Sequence, residues 1–389
     1  MEVYLESIKT AFLIFPLLAF LITLPYLLIE YHKYGSVPLI RSSIVYTFIL
    51  YLLTAYFLVI LPLPSKEQVL AMPTKVPQLI PFAFLGDFID AFKSASSVLA
   101  FLKSPIVYTT LFNIAITIPF GIYLRYYFKK KWYTTIIYTF LLSLFFELTQ
   151  LTGLYGLYPK AYRLFDVDDL MVNTLGGFIG YLITPIITIF LPNRDEIDKI
   201  SYKKGKVVSI YRRSLAFLID LFVFATLMFV VLVITNFHDF IIPLVISIVI
   251  YYIILPTITC YTFGKYLVKI KLDSKNKYKH KHLSISLRQT ILYFLIVFGP
   301  PIVINYNNHI NGLVMLFYIL FLIYTYFEIF LKFFGRKKPL IYERLTKTEN
   351  ISTVYYMDDL KSDAKNEPSQ DTKSVVQCNK EEVKDESRD

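Results

Sequence analysis

The chain has 389 residues, of which 56% are hydrophobic and 18% charged, with a mean hydropathy of +0.53. A soluble domain of this length needs more polar surface, so the composition excludes an ordinary water-soluble enzyme and points to a polytopic membrane protein. The net charge of +11 is that of a nucleic-acid binder, but the basic residues sit in the loops that membrane topology fills with Lys and Arg, and nucleic acid is excluded as a partner.

Nine apolar blocks follow one another: Ala11–Ile29, Ser43–Leu61, Ile106–Leu124, Tyr133–Leu151, Leu170–Leu191, Leu215–Thr235, Phe240–Cys260, Thr290–Ile304 and Leu313–Phe333. Most have roughly the 20 residues that cross a bilayer. The first is too long for a secretory signal and has no small-residue cleavage site behind it, so it reads as a true span. The eighth is short and interrupted by Gly299-Pro300-Pro301, the pattern of a kinked or re-entrant segment. Aromatic residues, 17% of the chain and mostly Tyr and Phe, gather at block ends, where amphipathic rings favour the interface. The two cysteines, Cys260 and Cys378, suggest neither a disulfide framework nor a metal cluster.

Lys and Arg alternate between the loops. Lys33 and Arg41 follow block one, and Arg125 and Lys129 to Lys131 lie between blocks three and four. Seven basic residues lie between Pro192 and Arg213, and eight between Tyr261 and Arg288. The intervening connections near His238 and Asn308 have none. Nine spans place all the basic loops on the cytoplasmic side, with the N-terminus outside and the C-terminus in the cytoplasm. The expected division is a first transmembrane domain over 1–192, a cytoplasmic linker over 193–206, a second transmembrane domain over 207–350, and a disordered cytoplasmic tail over 351–389, too polar to fold alone.

Polar residues cluster where blocks four and five meet. Read as a helix, Asp166, Asp169, Asn173, Gly176 and Gly180 recur at three- and four-residue steps and share one face. The glycines lie deeper, spaced so that another helix can approach closely. Block four ends with Glu147 and Gln150, three apart, and the loop between the blocks carries Arg163. Because the two blocks are sequential and antiparallel, Glu147, Gln150, Arg163, Asp166, Asp169 and Asn173 are expected to form one cluster at the outer boundary.

These residues carry a resemblance. The E-x-x-Q of Glu147 and Gln150, followed by R-x-x-D-x-x-D-x-x-x-N-T-x-G-x-x-x-G from Arg163, resembles the signature of the VanZ family. PQLIPFAF (Pro77 to Phe84) is similar to its N-L-I-P-F segment, with Gln78 where Asn is usual. NIAITIPFGIYL (Asn113 to Leu124) is similar to its N-x-x-x-F-x-P-x-G segment, with Thr117 at the Phe position. The resemblance covers about residues 40 to 190. It implies a bacterial cell-envelope protein associated with low-level resistance to glycopeptides of the teicoplanin type. A lipid-linked cell-wall precursor or the drug itself would then be a partner alongside the lipid bilayer.

Three readings of the outer cluster stay open. It is a structural set in which Arg163 pairs with a carboxylate and Glu147 and Gln150 bond across helices. Alternatively it is a binding site for a polar or cationic ligand or a hard divalent ion. The third reading is acid–base chemistry by Glu147 with Asp166 or Asp169, as in a membrane hydrolase or transferase. No Ser-His-Asp set, glycine-rich phosphate loop or His-rich metal motif accompanies the cluster. His32, His280 and His282 are expected in cytoplasmic loops, and no cofactor is implied.

In the second half, Arg213 and Asp220 stand seven apart on block six, two helical turns and hence one face, and are expected to pair. A buried lone Asp220 is costly. The stretch from Thr262 to Phe294 reads as a helix end at Gly264, a basic strand-like or interfacial piece, then Arg288 entering block eight. YRRSLAFLID (Tyr211 to Asp220), TFGKYLVKIKLDS (Thr262 to Ser274) and YERLTKT (Tyr342 to Thr348) resemble the three signatures of the RDD family over about residues 207 to 350. Glu343 stands where the second Asp is usual, and Arg344 follows it. This resemblance implies a membrane module for which transport roles have been proposed, so an ion- or solute-coupled transporter using Arg213 and Asp220 is the alternative function. The expected architecture is an all-α polytopic membrane protein of about nine spans in two bundles.

Overall fold

The computed structural model describes residues 2–235, 240–275, 280–300, 303 and 312–354. The chain folds as two compact units. One comprises residues 1–24 and 38–197, the other 25–37 and 198–389.

The chain is all-α in character. Eight of its helices are long and apolar enough to cross a membrane among the described residues. The first long helix, α1 (Glu2–Tyr34), runs through the boundary between the units. In the first unit α2 (Leu39–Ile60) leads to three short helices, α3 (Lys66–Ala71), α4 (Ala83–Ser94) and α5 (Val98–Leu102). Then come α6 (Pro105–Tyr126), α7 (Trp132–Leu151), a turn α8 (Gly153–Gly156) and α9 (Val167–Ile187). The stretch read from sequence as a linker forms a helix of its own, α10 (Arg194–Gly205), with Asp195 and Glu196 in its first turn and Lys203 and Lys204 in its last, charges arranged to suit the helix dipole.

In the second unit α11 (Ile210–Ile234) is capped by the Ser209 hydroxyl, which accepts from Arg212 N. The seventh apolar block is α12 (Ile241–Ile248), a π-helical segment Val249–Ile254, and α13 (Leu255–Thr259). After α14 (Phe263–Leu267), strand β1 (Ile270–Ser274) pairs antiparallel with β2 (Thr348–Ser352), Ile270 opposite Ser352. β1 is the strand-like piece expected from sequence. Its partner β2 was not foreseen, because a five-residue strand needs its distant mate to exist. Helix α15 (Lys281–Gln289) passes into a second π-helical segment, Thr290–Val297. The two π segments meet through Tyr252 and Tyr293, whose rings stack 3.8 Å apart. The Gln289 amide donates to Tyr252 O at 3.0 Å. α16 (Gly312–Phe333) and α17 (Ile341–Thr346) follow.

Of the nine apolar blocks, the eighth begins in the second π segment, and its continuation through residues 301, 302 and 304 lies outside the described residues. The same holds for Cys378 and most of the expected tail, residues 355–389. His32 is corrected: α1 continues five residues beyond the apolar block, so His32 lies in its last turn, with Nδ1 2.7 Å from Leu267 O.

Packing in the first unit is tightest where α9 meets α6. A Cβ added at Gly176 falls 2.3 Å from Ile114 O, and one at Gly180 falls 2.1 Å from Ile118 O. Gly177 faces α7 instead, where a Cβ falls 2.2 Å from Thr139 Oγ1. Glycines therefore let α9 lie backbone-to-backbone against α6 and seat the Thr139 side chain of α7 on its other side, the close packing that membrane helices use when lipid is as apolar as any side chain. Large apolar side chains point outward instead: Leu13, Phe20 and Phe222 are each at least three-quarters exposed, as expected of surfaces meant for acyl chains.

Candidate functional site

The C-terminal end of α7, the N-terminal end of α9 and the N-terminal half of α6 enclose a cavity of about 450 Å³. Its polar wall is Asn113, Glu147, Gln150, Arg163, Asp169 and Asn173, and its apolar wall includes Leu58, Val59, Pro62, Tyr108 and Phe112. Five of the six residues expected in the outer cluster thus line one space.

Each is held by a specific contact. Glu147, buried on α7, accepts at Oε2 from Asp166 N at 3.1 Å. Gln150, one turn on, donates to Val59 O at 3.1 Å. Asn113 Nδ2 donates to Asp169 Oδ1 at 2.6 Å, tying α6 to the first turn of α9. Asn173 Nδ2 donates to Ser143 Oγ at 2.8 Å, while Asn173 Oδ1 is shielded from solvent and has no donor among the described residues. A buried acceptor without a donor costs about 1–3 kcal/mol, and here it belongs to a residue of the cavity wall.

Two expectations about this cluster change. Among the described residues Arg163 makes no ion pair with a carboxylate: its Nη1 donates to Val59 O at 2.7 Å. The same carbonyl accepts from Gln150, so the guanidinium is placed by backbone and leaves Glu147 and Asp169 to the cavity. Asp166 is not on the helical face with Asp169. It is the N-cap of α9, accepting from Asp168 N at 2.8 Å, and its side chain turns to Gln78 Nε2, 3.3 Å away. The cap geometry takes it out of helical phase. Burial pushes the Asp166 carboxyl above its usual range, and the charges of Asp168 and Asp87 push the same way.

Asp168, passed over because its spacing puts it off the shared face, is a structural anchor. Its carboxylate accepts from Phe82 N at 2.6 Å, Phe84 N at 2.9 Å and Gln78 Nε2 at 3.2 Å. Together with a parallel bridge between Gln78 and Asp166, it clamps the start of α4 to the start of α9. Asn113, Ser143 and Asp168 were visible in sequence as polar residues in or beside apolar blocks. Their pairings were not.

In the second unit the expected pairing of Arg213 with Asp220 is corrected. Two turns of helix separate them by roughly 10 Å, so a shared face does not bring them into contact. Arg213 Nη1 reaches Glu343 Oε1 at 2.7 Å instead. Asp220, fully buried, accepts from Tyr251 Oη at 2.7 Å, Thr262 Oγ1 at 2.5 Å and Gly264 N at 2.7 Å. Gly264 is required there, because a Cβ would lie 2.1 Å from Ala216 O. Arg344 pairs with Glu328 at 2.8 Å. Glu328 was missed, although a lone carboxylate inside the ninth apolar block was a usable signal.

Residues 48–189 match the VanZ/LLP1 family model, and residues 207–341 match the RDD family model. No curated protein and no solved structure matches the chain. The order and extent of the two matches, on a chain with eight candidate spans, make this a multi-pass membrane protein in which a VanZ-like domain is fused to an RDD-family domain.

Proposed function

We propose that the protein lowers susceptibility to teicoplanin-type glycopeptides by binding the polar headgroup of a lipid-linked cell-wall precursor, or the drug, in the cavity between α6, α7 and α9. The observation that carries this reading is the chemistry of the cavity wall. Glu147 and Asp169 offer carboxylate acceptors, Asn173 offers a buried acceptor without a donor, and Arg163 offers a fixed cation, beside an apolar wall of Leu58, Val59 and Phe112. Hydroxyls and amines of a headgroup suit the acceptors, and the attached chain suits the apolar side. A volume of about 450 Å³ is that of a small-molecule pocket, fitting a headgroup rather than a whole precursor.

The outward orientation rests on charge. The opposite ends of α6 and α7 carry Arg125, Lys129, Lys130 and Lys131, which belong on the cytoplasmic side, leaving the cavity at the outer leaflet.

The test is teicoplanin susceptibility of a sensitive Gram-positive host expressing wild type, Glu147→Gln or Asp169→Asn at matched membrane abundance. Wild type is expected to raise the inhibitory concentration and both variants to lose the effect. Equal protection by the variants, or no protection by wild type, overturns the reading.

A further inference from the structure

One end of the second unit gathers more positive charge than its acids balance. Arg213 lies in the first turn of α11, Arg288 in the last turn of α15, Lys332 in the last turn of α16, Arg336 just beyond it, and Arg344 in α17. Two carboxylates serve all five. Glu343 takes Arg213 at 2.7 Å, Arg288 at 3.5 Å and Lys332 at 3.9 Å. Glu328 takes Arg344 at 2.8 Å and Arg336 at 3.4 Å.

The two acids are already fully engaged. Glu343 also accepts from Asn350 Nδ2 at 2.9 Å and Leu340 N at 3.0 Å, and Glu328 from Tyr324 Oη at 3.0 Å and Ile341 N at 2.9 Å. Meanwhile Arg213 Nε and Arg288 Nε, both shielded from solvent, have no acceptor among the described residues. Arg288 is almost wholly buried and meets Glu343 only at the long 3.5 Å distance. Nearby Lys265 is pushed down to about 8, first by burial and then by the Arg288 and Arg213 charges, against the pull of Asp220. Buried charges are normally matched, and among the described residues five cations share two carboxylates.

We propose that this cluster is a phosphate site, with Lys332 and Arg336 at its rim and Arg213 and Arg288 behind them, taking the phosphate group of an anionic phospholipid headgroup or free phosphate. Guanidinium groups bind phosphate through paired N–H donors, and basic pockets beside membrane helices bind anionic headgroups. At the rim the Arg336 side chain is 30% exposed and that of Lys332 12%, so the site is reached from the Arg336 side. The excess of three positive charges over the two acids gives the site its sign.

The test uses the purified full-length protein in nanodiscs, with melting temperature as the readout. Phosphatidylcholine discs are compared with discs containing phosphatidylglycerol, and with phosphatidylcholine discs given inorganic phosphate against chloride at equal ionic strength. Wild type is expected to melt higher with phosphatidylglycerol, with inorganic phosphate, or with both, and the arm that responds identifies the source. Lys332→Gln combined with Arg336→Gln is expected to lose more than half of that shift, whereas Lys66→Gln combined with Lys103→Gln, the same change of charge at exposed positions on the other unit, keeps it. Arg336→Gln alone leaves Glu328 paired with Arg344, so it repeats the comparison in a variant whose ion pairs are otherwise retained. If neither phosphate-bearing arm raises the wild-type melting temperature, or if the variants shift as much as wild type, the proposal fails.

Discussion

Replacing Gly180 with alanine tests whether the close approach of α9 to α6 holds the cavity together. The new Cβ would sit 2.1 Å from Ile118 O and 2.9 Å from Ile118 C. Both contacts are backbone, so no side chain can rotate away. Ordinary contact begins near 3.4 Å, so the helices must separate by roughly an ångström or more at that level. Overpacking of this kind costs about 1–3 kcal/mol. The same displacement stretches two bonds toward the cavity: Thr117 Oγ1 to Asn173 O at 2.7 Å, and Asn113 Nδ2 to Asp169 Oδ1 at 2.6 Å. Interhelical bonds in membranes contribute about 0.6 kcal/mol each, with an upper range near 1.7. The expected total is therefore about 2–5 kcal/mol, plus partial loss of any function the cavity serves. The assay is thermal denaturation of the detergent-purified protein followed by size-exclusion fluorescence. Gly86→Ala is the control. It lies on α4 with nothing within 4 Å of an added Cβ, and removing a helical glycine there is expected to stabilise by about 0.5–1 kcal/mol. If Gly180→Ala melts with wild type, the close approach does not govern the stability of this helix pair and the reasoning is refuted.

Glu343→Gln keeps the shape and the bond to Leu340 N but leaves Arg213, Arg288 and Lys332 without their shared carboxylate. Breaking a buried pair from one side costs about 3–5 kcal/mol, measurable as a lower melting temperature of the full-length protein. The neighbouring cations hold Glu343 below its ordinary 4.5 in spite of burial. Its contribution is thus present above that value and is lost as pH falls through the depressed one, a loss that Glu343→Gln should not show. Asp168→Asn weakens the clamp on Phe82 N and Phe84 N. Charge-assisted bonds of this kind contribute about 1.5–3 kcal/mol, so amide exchange across Phe82–Ser94 should quicken, and an unchanged exchange pattern would show that the clamp is not what orders α4. For Lys265 the sign is the same as for Glu343, but the cause differs: burial disfavours the charged lysine rather than neighbouring cations favouring a charged acid. The unfolded lysine holds its proton up to about 10.5 and the folded one releases it near 8. Between those values the unfolded state carries more protons, so stability rises with pH. Lys265→Met should abolish that rise, and a parallel rise in the variant would assign it to another group.

Much of the first unit was legible in the residues because the needed signals are local. Glu147 and Gln150, Asp169 and Asn173, and Gly176 and Gly180 each lie three or four apart, and a helix puts such pairs on one face whatever surrounds it. Antiparallel neighbours then bring the polar ends together. Asp166 escaped this logic because one residue of cap geometry takes a side chain out of helical phase. Asn113 and Asp168 escaped it because their partners lie more than 50 positions away in sequence or on a segment, Phe82 to Phe84, with no pattern that points back to α9.

In the second unit, the residues alone determined that Arg213, Asp220, Glu343 and Arg344 are charges in or beside spans, and therefore that each needs a partner. Low dielectric imposes that need before any fold is known. Only the tertiary structure decided which partner each takes. Asp220 is held by hydroxyls and a backbone amide, Arg213 by Glu343 from a helix 130 positions on, and Arg344 by Glu328. Ion pairing acts over a few ångströms, and helical periodicity reports direction around an axis rather than distance to another element. Composition could therefore demand compensation for buried charge, while only the packing of α11, α15, α16 and α17 could say where it comes from and that five cations would share two acids.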